Sequence, residues 1–202
     1  MSRTQEIRPD IDEGIDRKVL SQLRARFLKL NQGRLQRAMQ ALSTRQQLVL
    51  KLLPLLFHVN HPLLPGYVSS STPAGVAGFE PGAERVAEAQ RLARSFAYKA
   101  RQGHAPRPIH GLFLMGSLGS LAQAELSDMD FWVCHASDLS PQQLNELNKK
   151  CVLLEAWAAT FGRQCSLMVA NFSPMSMRWA SKASAGPTWR SAPSSIPART
   201  GG

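Results

Sequence analysis

Ile109-His110-Gly111-Leu112-Phe113-Leu114-Met115-Gly116-Ser117 is followed, across ten intervening residues, by Asp128-Met129-Asp130-Phe131-Trp132-Val133-Cys134. The first stretch is an apolar run of strand length that ends in a Gly-Ser turn. The second carries two acids, two residues apart, into another apolar run. Side chains two apart on a strand point to the same face, so Asp128 and Asp130 are placed to act on one ligand. The turn offers backbone N–H groups and the Ser117 hydroxyl to phosphate oxygens. Between the two strands, residues 118–124 suit a short helix whose N-terminal dipole would add to anion binding.

A triphosphate is the ligand that needs both halves. Attack on an α-phosphate builds charge on the phosphoryl oxygens, the incoming oxygen and the leaving pyrophosphate. Two divalent ions held about 3.5–4 Å apart by carboxylates can stabilise all three. Mg²⁺ or Mn²⁺ is expected, because hard cations prefer oxygen ligands to His or Cys. A polymerase-β-like nucleotidyltransferase holds its nucleotide in this way. The bare pattern also fits a surface turn beside solvated acids.

The surrounding residues narrow the choice. Ser127-Asp128-Met129-Asp130-Phe131-Trp132-Val133-Cys134-His135 resembles the signature of the class I adenylate cyclases of bacteria, as does Leu114-Met115-Gly116-Ser117-Leu118-Gly119-Ser120. Two further blocks resemble the same family in the same order. One runs from Leu52-Leu53-Pro54-Leu55-Leu56-Phe57-His58 through Asn60-His61-Pro62-Leu63-Leu64-Pro65-Gly66-Tyr67, and the other is Lys150-Cys151-Val152-Leu153-Leu154-Glu155-Ala156-Trp157-Ala158. The resemblance covers residues 20–168. It implies that Gly116 and Ser117 bind the triphosphate, with Ser120 as a further contact. It implies that Asp128 and Asp130 are catalytic metal ligands, and that Ser127 supports them. Trp132 would pack near the base or under the strand.

The chain has 202 residues, 44% hydrophobic and 19% charged, which is the make-up of a globular protein with a core. No apolar run approaches the ~20 residues of a membrane span, and the acidic N-terminus lacks the form of a signal peptide. Cys134, Cys151 and Cys165 are odd in number and sit in apolar contexts, which reads as reduced core thiols in a cytoplasmic protein. The net charge is +10, yet the nine basic residues between Arg17 and Lys51 are spread along a helical pattern without a block or interleaved aromatics. That reads as a solvated basic face, and nucleic-acid binding is disfavoured.

The expected architecture is α/β (α+β), a small mixed sheet of nucleotidyltransferase type flanked by helices. Residues 1–105 form a helical N-terminal segment, 106–171 an incomplete nucleotidyltransferase-like core, and 172–202 a disordered tail. Apolar recurrence predicts one interrupted helix or two over residues 16–50, with Gly33 as the break. Ser43-Thr44 caps the next helix, entered by Gln46 and ending at Pro54. Residues 61–82 are Pro- and Gly-rich loop, and residues 84–101 are helical again. His58 and His61 have a metal-like spacing without a nearby acid or thiol, which favours packing roles. Ser140 and Pro141 open a helix that Gly162 closes, and residues 165–170 form a third strand.

The chain departs from the pattern at that strand. A third carboxylate is expected near Asn171, and no Asp or Glu occurs from Phe172 to Gly202. The tail has no leucine and no apolar period, which suggests an out-of-frame end to a longer, truncated cyclase; a short paralogue is the alternative. The resemblance implies conversion of ATP to 3′,5′-cyclic AMP and pyrophosphate, weak or lost in this chain. AMP transfer to a protein or RNA acceptor, or a non-catalytic remnant, are the competing functions. A regulatory protein partner would act through the family's missing C-terminal region.

Overall fold

The computed structural model describes residues 16–100, 107–122, 127–162 and 164–171. The expectations for residues 1–15 and for the tail at 172–202 lie outside the described residues. Two long helices come first. Helix α1 (Arg17–Ala41) starts at Asp16, whose carboxylate accepts from the Lys18 N–H, and runs without interruption through Gly33. An interior glycine costs a helix only about 1 kcal/mol, which neighbouring turns absorb. Ala38 is its one buried residue, so most of α1 lies on the outside of the molecule.

Helix α2 (Thr44–His58) is the core helix. Ser43 and Gln46 close its N-terminus as a reciprocal capping box, as the sequence indicates. It does not stop at Pro54 but continues to His58, with Leu55, Leu56 and Phe57 buried. A proline inside a helix costs roughly 3 kcal/mol, and burying each of those side chains returns about 1.5–3 kcal/mol, so packing prevails.

The expected loop follows and is tied down at several points. Asn60 Nδ2 donates to the Ser69 carbonyl at 2.7 Å, and Glu146 accepts from the Ser69 and Ser71 hydroxyls at 2.8 and 3.0 Å. At Gly66 the backbone is left-handed (φ 81°) and a Cβ would lie 2.7 Å from Leu154 Cγ. His58 is structural: its Nδ1 accepts from the Val76 N–H at 3.2 Å, and its Nε2 lies 3.3 Å from the Tyr98 hydroxyl. His61 sets its ring edge-on to Phe96. Helix α3 (Ala83–Leu92) is shorter than the expected 84–101, because the chain turns extended at Ala93.

The sheet has three strands in the order β1 (Ile109–Leu114), β2 (Met129–His135), β3 (Cys165–Asn171). β1 and β2 are antiparallel, and β2 and β3 are parallel, so the architecture is a small mixed α+β sheet. The parallel pair needs a crossover, supplied by α4 (Pro141–Ala159). Ser140 and Gln143 cap α4 with a second capping box, Pro141 is its first residue, and Gly162 (φ 78°) lies just past its end.

Alternation along β2 decides which face is covered. Met129, Phe131 and Val133 are buried in the core, in one cluster with residues of α2 and with Leu147 and Leu154 of α4. Asp130 and Trp132 have the opposite parity and are half-buried. Register places Phe113, Trp132 and Met168 in a row across the three strands. Phe113 is 45% and Met168 63% exposed, which marks this as the open face.

Candidate nucleotide site

The Gly-Ser turn and the acidic strand meet at the end of the β1–β2 pair. The Met115 N–H donates to the Asp130 carbonyl at 2.7 Å, which carries the antiparallel pairing one residue beyond β1. The chain then turns at Gly116, whose φ of 67° is left-handed. Glycine is required there for a second reason: a Cβ would lie 2.7 Å from Asp130 Oδ2. The carboxylate of Asp130 therefore rests against the backbone of the turn, and Asp128, exposed, precedes it at the mouth of the strand.

Two serines bridge the halves of the site. The Ser117 and Ser127 hydroxyls share a hydrogen bond of 2.7 Å, and Ser127 is buried. This links the turn to the residue preceding Asp128. Ser120 is occupied inside the turn, where its hydroxyl donates to the Ser117 carbonyl at 2.6 Å and accepts from the Ala122 N–H at 3.1 Å. Trp132 lies two residues along from Asp130 on the open face, between Phe113 and Met168, and not in the core.

The expected helix over 118–124 is replaced, through residue 122, by consecutive turns; residues 123–124 lie outside the described residues. Leu118 and Gly119 are buried, and a Cβ at Gly119 would run into the Arg34 carbonyl oxygen of α1. No helix dipole faces the turn from these residues. Instead α1 holds it: Arg34 Nη2 donates to the Met115 and Gly116 carbonyls at 2.8 and 2.7 Å, and Arg34 Nε to the Leu118 carbonyl at 3.1 Å. Arg37 Nε donates to the Gly119 carbonyl at 2.8 Å. These two arginines were missed as part of a solvated basic face. The signal open to sequence reading was their spacing of three beside Ala38, which marks an inward-facing stripe.

The expectation for a third acid is also corrected. Asn171 pairs with His135, at the far end of β2 from Asp130. The residue opposite Asp130 on β3 is Ser166, a hydroxyl and not a carboxylate. Among the described residues no three His, Cys, Asp or Glu side chains come together as a metal cluster. Asp130 against the turn, with Asp128 two residues before it, supplies oxygen donors of the kind Mg²⁺ takes, since that ion is commonly bound through one or two carboxylates plus substrate phosphates.

An α+β domain with a glycine turn seated on an acidic strand is thus defined by its own geometry, and comparison with known proteins gives its family. Residues 19–186 match the adenylate cyclase NT domain, and the chain belongs to that family. It is 37% identical over 150 residues to the adenylate cyclase of Yersinia intermedia, an alignment covering 74% of this chain and 18% of that protein. The adenylate cyclases of Salmonella typhimurium and Escherichia coli K12 are each 37% identical over 155 residues, with the same coverage. The chain thus spans about a fifth of the length of the relatives it matches. The family match continues to residue 186, past Phe172, so the likeness does not end where the sequence reading stopped it. No solved structure gives a significant match. No described helix is long and apolar enough to cross a membrane.

Proposed function

We propose that this domain binds ATP with Mg²⁺ or Mn²⁺ and forms the nucleotide site of an adenylate cyclase. The observation that carries this reading is the contact of the Gly116 backbone with the Asp130 carboxylate, which sets an anion-binding turn against a cation-binding acid. Each would be poorly placed alone. Together they match the two charges of a metal–triphosphate complex.

On this reading the Gly116 and Ser117 N–H groups bind phosphate oxygens, and Asp128 and Asp130 hold the metal. Ser127 keeps the Ser117 hydroxyl oriented. Trp132, beside Phe113 and Met168, offers an apolar surface to the base. The ribose 3′-oxygen bonds to the α-phosphorus while the bond to the bridging oxygen breaks. Pyrophosphate leaves, the hydroxyl proton passes to water, and 3′,5′-cyclic AMP remains. Bound metal supplies the positive charge that offsets the phosphoryl oxygens and acidifies the hydroxyl. ATP and magnesium make the cytoplasm the compartment of this reaction. Regulation through a protein partner would fall to regions present in the longer relatives.

The second reading is nucleotide binding without turnover, and Ser166 opposite Asp130 favours it. A site with two carboxylates holds the nucleotide-bound metal better than a second, catalytic one.

Cyclic AMP formation from ATP and Mg²⁺ by the 202-residue chain, beside Asp128→Asn, tests both readings. Product from the parent that disappears in the variant supports the cyclase. ATP binding without product supports the second reading. Failure to bind ATP sinks both, and a labelled protein or RNA acceptor would instead mean AMP transfer.

A further inference from the structure

We infer that Arg34 is a positioning residue that sets the phosphate-binding conformation of the Gly116–Ser117 turn from α1. This inference rests on the nucleotide reading above. The physical basis is the planarity of the peptide unit: in a trans peptide the N–H of one residue points opposite to the carbonyl before it. Arg34 Nη2 draws the Met115 and Gly116 carbonyls toward α1. The N–H groups of Gly116 and Ser117 are therefore turned away from α1. Neither donates a backbone or side-chain hydrogen bond to another described residue.

Two successive outward N–H groups at a left-handed residue form an anion-binding nest. Asp130 Oδ2 sits against that same residue, so the nest is formed next to one of the two carboxylates assigned to the metal. Strand pairing fixes only one end of the turn, through Met115. Residues 117–122 form no helix of their own; besides the Ser117–Ser127 hydroxyl pair and the Arg34 and Arg37 bonds to Leu118 and Gly119, they are joined by bonds within the turn. The guanidinium supplies what is lacking. Its Nε reaches the Leu118 carbonyl while Nη2 reaches those of Met115 and Gly116, so one planar group spans the bend. Lysine has no such fork; its point charge can satisfy one or two of these carbonyls but cannot set their relative orientation.

The test compares the full chain with Arg34→Lys, using Arg24→Lys, an exposed change on the same helix, as control. Lysine and arginine have similar helix propensity, so α1 should survive both. ATP and inorganic tripolyphosphate are titrated with Mg²⁺, and the amide shifts of Gly116 and Ser117 are followed by NMR. Expected for Arg34→Lys is cooperative unfolding retained, both amides moved, and binding of either ligand weakened at least tenfold. Arg24→Lys should match the parent. Equal binding by parent and Arg34→Lys overturns the inference. If the parent binds neither ligand, the nucleotide reading has failed. The amide shifts then decide separately: unmoved amides in Arg34→Lys overturn the positioning role, and moved ones uphold it.

Discussion

Asp130 places a carboxylate oxygen 2.7 Å from the point where the β-carbon of residue 116 would be, and glycine at 116 is what makes room for it. The two residues belong to different strand ends, so their contact joins the Gly116–Ser117 turn to the acidic strand. Most of what can be asked of this site follows from that contact.

Gly116→Ala should damage the site twice over. A left-handed backbone costs a non-glycine residue about 1–2 kcal/mol, and the new methyl pushes the Asp130 carboxylate away. The expected outcome is a stability loss of about that size in chemical denaturation, with metal-dependent ATP binding lost in calorimetry. Stability loss with unchanged ATP affinity would separate the glycine from the site.

The Ser117–Ser127 hydrogen bond should couple the two halves. A double-mutant cycle with Ser117→Ala and Ser127→Ala is expected to give a coupling of about 1 kcal/mol in unfolding free energy. Additive effects would mean that the hydroxyls act independently and that Ser127 reaches the turn by some other route.

Lys150 is fully buried and donates to the Val59 carbonyl at 3.3 Å, and no described carboxylate forms an ion pair with it. Burial lowers its pKa to about 8. Folded Lys150 therefore releases its proton near pH 8, while the unfolded chain keeps it to about 10.4. Between those values the unfolded state binds more protons, so this residue's contribution to stability rises with pH. Lys150→Met should be more stable than the parent at pH 7 by about 1–2 kcal/mol, because it removes a buried charge. That advantage should shrink as pH climbs through 8 toward 10. A constant difference across that range would show that the ammonium is not desolvated.

Three thiols are free and buried. Burial pushes Cys134 up to about 11; burial first, and then the Glu155 carboxylate, pushes Cys151 and Cys165 up to about 12. Thiolate is the reactive form, so the native chain at pH 8 should react slowly with a chromogenic disulfide reagent. All three should react at once after denaturation. A rapidly titrating thiol in the native protein would contradict this. The same raised values act against Lys150 at alkaline pH: above about 8.5 the unfolded thiols ionise and the folded ones do not, so their contribution falls as pH rises.

What could be read directly from the sequence was local. Ser43 with Gln46, and Ser140 with Pro141, mark helix starts that the structure closes with bonds spanning three residues, and such signals lie within one turn of chain. The bend at Gly116 and three short strands were legible for the same reason. Each is a pattern of period two or a glycine at a bend, and together they fixed an α+β fold. The end of α2 was misread at Pro54 because local propensity carries no record of the burial that continues the helix.

Tertiary structure alone decided the relations between distant segments. Arg34 and Arg37 meet the turn across more than eighty residues of chain, and their spacing beside Ala38 marks an inward-facing stripe without saying what it faces. Register placed Ser166 beside Asp130 and sent Asn171 to the other end of the strand, a choice made by burial of Cys165 and Leu167 on the core face. Backbone and side-chain chemistry over a few residues determined which elements form. Which of them touch was set by the packing of one shared core, and that packing set the Gly116 turn against Asp130 of β2 and brought the Arg34 guanidinium of α1 to its carbonyl.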